Sequence, residues 1–252
     1  MSLQPGGKAP VAPSAIRAQT KTYIAGGFAD VSEPRALELE EIPGVVEAFR
    51  QAAANAVRAG FDGVEVHGAN GYLLDQFLRD GSNHRTDDYG GSIENRARLL
   101  LEVMAAVIGE IGPDRVGVRL SPVTPANDAS DSNPQPLFNH VVDRLNDLRP
   151  VYIHVIEGAT GGPRDIDPTF DFGELRRRFR GTYIANNGYD RTAAETALAA
   201  GKADLIAFGR PFIANPDLVE RLRRDAPLNE LDQATLYGGG EKGYTDYPSL
   251  VA

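Results

Sequence analysis

The chain has 252 residues, a formal net charge of −9 and no cysteine. That length suits one medium domain with a sizeable core. The acidic balance argues against a nucleic-acid surface, and the missing thiols exclude disulfides, thiolate catalysis and Cys-based metal sites. No run approaches the roughly 20 apolar residues that a membrane helix needs, and no secretory leader is readable at the start, so a cytoplasmic protein with no membrane partner is expected.

The first 41 residues are expected to form loop and hairpin, with Thr20–Phe28 folding back at Gly26-Gly27. Residues 42–252 then alternate two patterns. Short β-branched runs occur at Phe61–Gly68, Arg115–Pro122, Val151–Gly158, Thr182–Gly188 and Ala203–Arg210. Each reads as a strand buried on both faces of a parallel sheet. Between them, Ile42–Ala59, Ser92–Ile111, Leu137–Leu148 and Thr192–Ala200 carry apolar residues at helical spacing. Ser92 is placed to cap the second helix, and Thr192-x-x-Glu195 has a capping-box spacing at the fourth. Arg176–Arg180 reads as a solvated helix face. Strict alternation makes the fold α/β, built of βα units. A Rossmann sheet would show Gly-x-Gly-x-x-Gly after its first strand, and none is present. Glycine-rich turns follow the last two runs instead, where a (β/α)8 TIM barrel commonly holds phosphate.

The densest polar chemistry follows the first run. His67 and Asn70 can both donate to one oxygen, with Gly68 and Gly71 letting the backbone turn around it. A phenol, whose ordinary pKa is about 10, keeps its proton at neutral pH, which suits Tyr72 to general-acid work. Residues 76–96 are too polar for a core and read as an ordered loop pinned by Arg85, Asp87 and Arg96. Arg119, deep in the second run, needs a partner because an unpaired buried charge is costly. Asn187 and Gly188, then Gly209 and Arg210, offer backbone N–H groups and a guanidinium to an anion. His67, His84, His140 and His154 show no metal-ligand spacing.

His67-x-x-Asn70-x-Tyr72, followed by Asn83-x-Arg85-Thr86-Asp87-x-Tyr89-Gly90-Gly91-Ser92, strongly resembles the old yellow enzyme family, and the likeness runs along essentially the whole chain. The resemblance implies an FMN-dependent ene-reductase with NAD(P)H as reductant and α,β-unsaturated carbonyl or nitro compounds as substrates. It gives His67 and Asn70 the substrate oxygen and Tyr72 the proton for the α-carbon. Arg119 would meet the N1/O2 edge of the flavin, an ordinary buried salt bridge being the alternative. Asn187, Gly188, Gly209 and Arg210 would hold the FMN phosphate. Tyr237, in Tyr237-Gly238-Gly239-Gly240, would border the substrate pocket or sit as a surface tyrosine. The whole of 1–252 would be a single partial TIM-barrel domain: five of the barrel's eight strands, its fourth to eighth. A separate amino-terminal fragment, or self-association, would then complete it. The competing reading is a catalytically silent barrel fragment that binds flavin or phosphate weakly, or serves as a scaffold chain.

Overall fold

A computed structural model describes residues 4–24, 27–236 and 240–250. The amino-terminal arm holds two small sheets. Strands β1 (Val11–Ala12) and β4 (Arg35–Ala36) pair in parallel, and β2 (Lys21–Ile24) and β3 (Gly27–Asp30) form an antiparallel hairpin. Tyr23 and Phe28 face each other across this hairpin with ring centroids 5.4 Å apart, both exposed. Gly27 belongs to β3 and pairs with Ile24, so it is not part of the turn; Gly26 lies outside the described residues.

Helix α1 (Ile42–Arg58) leads into the main sheet, made of β5 (Val64–Gly68), β6 (Val116–Leu120), β7 (Tyr152–Ile156), β8 (Thr182–Asn186) and β9 (Leu205–Ala207). All five are parallel and adjacent in chain order, as consecutive βα units require. Helices α2 (Leu73–Leu78) and α3 (Ile93–Ile111) follow β5, α4 (Pro134–Leu148) follows β6, α5 (Phe172–Arg178) follows β7, and α6 (Arg191–Ala199) follows β8. After β9 come α7 (Arg210–Ala214) and α8 (Leu218–Arg224).

The core lies on one face of the sheet. Val66, Val118, Leu120, Ile153, Val155 and Tyr183 are sealed there against Leu99, Leu100, Val103, Leu137, Val141 and Leu175 from the helices. Burying each such aliphatic side chain stabilises the fold by about 1.5–3 kcal/mol. The opposite face is different. Glu65, His67, Arg119, Tyr152, His154, Thr182, Ile184 and Asn186 project there, and all are half-buried or exposed. Apart from Ile156, sealed at the end of β7, the strands are covered on one face only, which corrects the expectation of burial on both. Their period-two alternation is visible in β5 as Glu65 and His67 between Val64, Val66 and Gly68, but β6 hides it by placing Gly117 at a polar-face position.

Ser92 caps α3 by accepting from the Asn95 backbone N–H at 3.3 Å. At α6 the capping box does not form: Asp190 is the cap, accepting from Ala193 N–H at 2.8 Å. Thr192 lies inside that helix, and Glu195 pairs with Arg191 at 2.8 Å. An acidic cap two residues earlier satisfies the N–H groups that Thr192 would have served. The basic stretch of α5 is neutralised locally: Arg176 pairs with Asp204, Arg177 with Asp171, and Arg178 with Asp143 and Glu174.

Candidate active site

The carboxy-terminal ends of β5, β6 and β7 and the loops that follow them meet at one mouth of the sheet. In the strand register His67 sits beside Arg119, and Arg119 beside His154. Paired positions in parallel strands point to the same face, so these three side chains form a polar row across it. His154 Nδ1 lies 2.9 Å from Glu65 Oε2, one register step toward the strand origins. Arg119 donates through Nη2 to Asn186 Oδ1 at 3.0 Å, and its buried Nε has no partner. Among the described residues no carboxylate forms an ion pair with Arg119, so the buried salt bridge weighed from sequence is absent. Burial pulls its guanidinium below its ordinary pKa, opposed by the Glu65 charge. Burial also lowers the His67 pKa, and the nearby Arg119 charge adds to the effect, favouring the neutral imidazole.

Directly after β5 the backbone turns through Asn70 (φ 59°) and Gly71 (φ 69°). A Cβ at residue 71 would stand 2.6 Å from the Ala126 carbonyl oxygen, so this turn needs glycine on both steric and conformational grounds. Gly68 plays another part: it ends β5, and a Cβ there would press on Leu100 and the Arg119 carbonyl at 3.1 and 3.2 Å. Tyr72 then precedes α2. Its ring centroid is 5.2 Å from that of His67, and the side chain is 55% exposed, leaving the phenol free to meet a ligand.

This turn is anchored from below by charge. Asp75 and Arg79 are paired at 2.8 Å and essentially fully buried. Asp75 also accepts from Gly71 N–H at 2.9 Å, while Arg79 reaches the Pro122 carbonyl at 2.8 Å and the Ser121 carbonyl. Such a pair, with its remaining hydrogen-bond capacity met, fixes the β5 and β6 loops to one another. The following segment is pinned as expected. Arg85 pairs with Asp87 and donates to the Pro13 and Leu37 carbonyls, and Arg96 pairs with Asp131 and donates to Leu78. Beside Tyr72 opens a cavity of about 400 Å³, walled by Gly71, Tyr72 and Gln76 on one side and by Val11, Thr22 and Tyr23 of the arm on the other.

The far end of the site is looser. Asn187 adopts φ 106°, and its buried amide is spent within the protein: it donates to the Glu157 and Ala159 carbonyls and accepts from Gly161 N–H. Only its backbone could serve an anion. Gly188 and Gly209 have open space where a Cβ would stand. Arg210 is exposed and donates one bond, to the Gly161 carbonyl at 3.1 Å. Tyr237 lies outside the described residues.

Several contributors escaped the sequence reading. Asp75 and Arg79 were detectable as an i, i+4 pair of opposite charge. Ser121, Asn127 and Thr160, which hold Asn70, carry no local mark. Asn186, beside the expected phosphate turn, directs its amide oxygen to Arg119 instead.

An open glycine-bearing end beside the last two strands, an inward arginine with an unpartnered Nε, and hydrogen-bond donors at the same mouth fit an FMN site. Fold and site together define a flavin oxidoreductase built on an incomplete (β/α)8 barrel. The chain belongs to the FMN-dependent NADH:flavin oxidoreductase / NADH oxidase family, which matches residues 2–229. It is 49% identical over 219 residues to 12-oxophytodienoate reductase 2 of Arabidopsis thaliana, covering 86% of this chain and 59% of that protein. It is 47% identical over 254 residues to 12-oxophytodienoate reductase 1 of Oryza sativa subsp. japonica, covering 98% and 65%. Among solved structures, morphinone reductase in complex with tetrahydroNAD matches with a TM-score of 0.92 at 48% identity, covering 98% of this chain and 68% of that one. The old yellow enzyme homologue from Zymomonas mobilis matches with a TM-score of 0.93 at 44% identity, covering 97% and 69%. The chain thus spans roughly three-fifths to two-thirds of the length of these relatives.

Proposed function

We propose that the chain reduces the activated C=C bond of α,β-unsaturated carbonyl and nitro compounds, with FMN as cofactor and NAD(P)H as reductant. The named reductases of 12-oxophytodienoate and morphinone among its relatives support a small organic substrate. Bound FMN supplies the hydride. The protein's own work is to hold the substrate oxygen and deliver a proton. As negative charge builds on that oxygen, the neutral His67 imidazole and the Asn70 amide nitrogen donate to it. Each such preorganised donor stabilises a developing oxyanion by about 2.7–4 kcal/mol. Tyr72 hands its phenolic proton to the α-carbon, and the Asn70 turn keeps that phenol over the same mouth. Arg119 would bring fixed positive charge to the bound cofactor, and the backbone of Asn187, Gly188 and Gly209 with the Arg210 guanidinium would hold its phosphate. The polar face of the sheet is covered, in this reading, by strands supplied from a separate amino-terminal fragment or a second copy.

The observation that carries the proposal is the convergence of His67, Asn70 and Tyr72 within one turn, with the His67 and Tyr72 rings 5.2 Å apart and Arg119 in register beside them. Tyr72→Phe tests it by stopped-flow on the flavin-loaded protein with cyclohexenone. The substrate-dependent half-reaction should slow by roughly 10²-fold or more, the usual share of a positioned general acid. Reduction by NAD(P)H should be nearly unchanged; equal loss in both halves removes Tyr72 from the acid role.

A further inference from the structure

The polar groups of Asn70 are mostly claimed by the protein itself. Its backbone N–H donates to Ser121 Oγ at 2.7 Å, and its carbonyl oxygen accepts from Asn127 Nδ2 at 2.9 Å. Its side-chain Oδ1 accepts from Thr160 Oγ1 at 2.6 Å. Among the described residues, the Nδ2 group alone makes no hydrogen bond.

What sets that amide's direction is a second threonine. Thr124 is completely buried, and its Oγ1 accepts from the Thr160 backbone N–H at 3.0 Å while lying 3.0 Å from Thr160 Oγ1. A hydroxyl carries one proton. Thr124's proton has one acceptor in reach among the described residues, the Thr160 oxygen, because leaving it unpaired in a buried position is costly. With that bond made, the proton of Thr160, whose side chain is exposed, turns the other way, and Thr160 Oγ1 donates it to Asn70 Oδ1 at 2.6 Å. A donor held in that direction takes the Oδ1 end of the amide as its acceptor.

We infer that Thr124 and Thr160 form a directional hydroxyl relay that fixes the Asn70 amide with its NH₂ turned outward to the substrate oxygen, which makes Thr160 a positioning residue. This rests on the role proposed above for Asn70. With the amide turned over, Oδ1 would present lone pairs to the carbonyl oxygen, exchanging an attraction for a repulsion at the atom where charge develops. The three residues lie in the loops after β6, β7 and β5, separated by 36 and 90 positions in sequence.

The test uses the full chain labelled with ¹⁵N-asparagine, the Asn70 side-chain NH₂ signals being assigned by their loss in Asn70→Ala. One sharp pair is expected in the unmodified protein and in Thr160→Ser. In Thr160→Val, which keeps shape and removes the hydroxyl, the pair should broaden or double as the amide samples both orientations. With FMN loaded, Thr160→Val should lower kcat/KM for cyclohexenone about tenfold, less than the roughly 100-fold expected for deleting the donor outright in Asn70→Ala. Thr160→Ser should restore it. An unchanged Asn70 signal in Thr160→Val overturns the relay. An undiminished kcat/KM in Asn70→Ala instead overturns the catalytic reading of Asn70, while the signals still decide the relay.

Discussion

At the β5 end of the site Asp75 and Arg79 are sealed from water and tie two loops together, whereas at the β8–β9 end Gly188, Gly209 and Arg210 lie exposed with a single side-chain hydrogen bond among them. The first end is shaped by the protein itself, so in the roles proposed for them His67, Asn70 and Tyr72 need little reorganisation. The second end offers backbone and one long cation, and its geometry is completed by whatever anion it holds. On the proposed reading, rigidity sits where a transition state would be met and the phosphate end stays adjustable.

The comparison is broken most directly by Arg79→Ala. Removing one partner strands the Asp75 carboxylate in the interior, and such uncompensated charges destabilise by about 3–5 kcal/mol. Chemical denaturation should show that loss; a shift under about 1 kcal/mol would mean the pair is not the anchor. Next comes Arg119→Met. It removes a desolvated guanidinium with an unmet Nε, so thermal melting without FMN should occur at the same or a higher temperature. FMN affinity, read by quenching of flavin fluorescence, should nevertheless fall at least about tenfold, or ~1.4 kcal/mol. Arg210→Gln sharpens the contrast from the loose end. Its stability should stay within about 0.5 kcal/mol, as for exposed side chains generally. FMN affinity should drop, and an equal loss of stability would show that Arg210 is structural.

The smallest effect concerns His67. Its pKa lies below the ordinary value of about 6.5 because burial and the Arg119 charge disfavour the imidazolium. The unfolded chain therefore binds this proton more readily than the folded one. The stability it contributes is complete above about pH 6.5 and is lost as pH falls through the lower folded value. An NMR titration of the His67 ring should give a midpoint below 6.5, and Arg119→Met should move it upward.

Much of the frame was legible in the chain. The five strand runs contain the five observed strands, and α1 and α3 fall within about a residue of their expected bounds, because long periodic segments fix their own structure. The motif around His67, Asn70 and Tyr72 declared itself through polar residues and glycines crowded at a strand end. Two kinds of feature stayed hidden. Five-residue strands such as Val116–Leu120 are too short to reveal a polar face once a glycine replaces one of its members. Contacts between remote loops, such as Arg96 with Asp131 or Thr160 with Asn70, depend on the closed fold and leave no trace in local spacing. The α6 cap was misplaced by two residues because Asp190 and Thr192 are both good caps, and tertiary position chose between them.

Asn70 joins two demands in one residue. Its φ of 59° lies where few side chains settle without strain, and its amide accepts a hydrogen bond from Thr160 while, in the role proposed for it, donating one to the substrate. Glycine would satisfy the backbone and lose the chemistry; aspartate would keep the bend and reverse the polarity; glutamine would keep the amide, overreach by a methylene and resist the bend. On the proposed reading, substrate range at this mouth is better altered through its walls, at Gln76 and along the arm from Val11 to Tyr23, than at position 70.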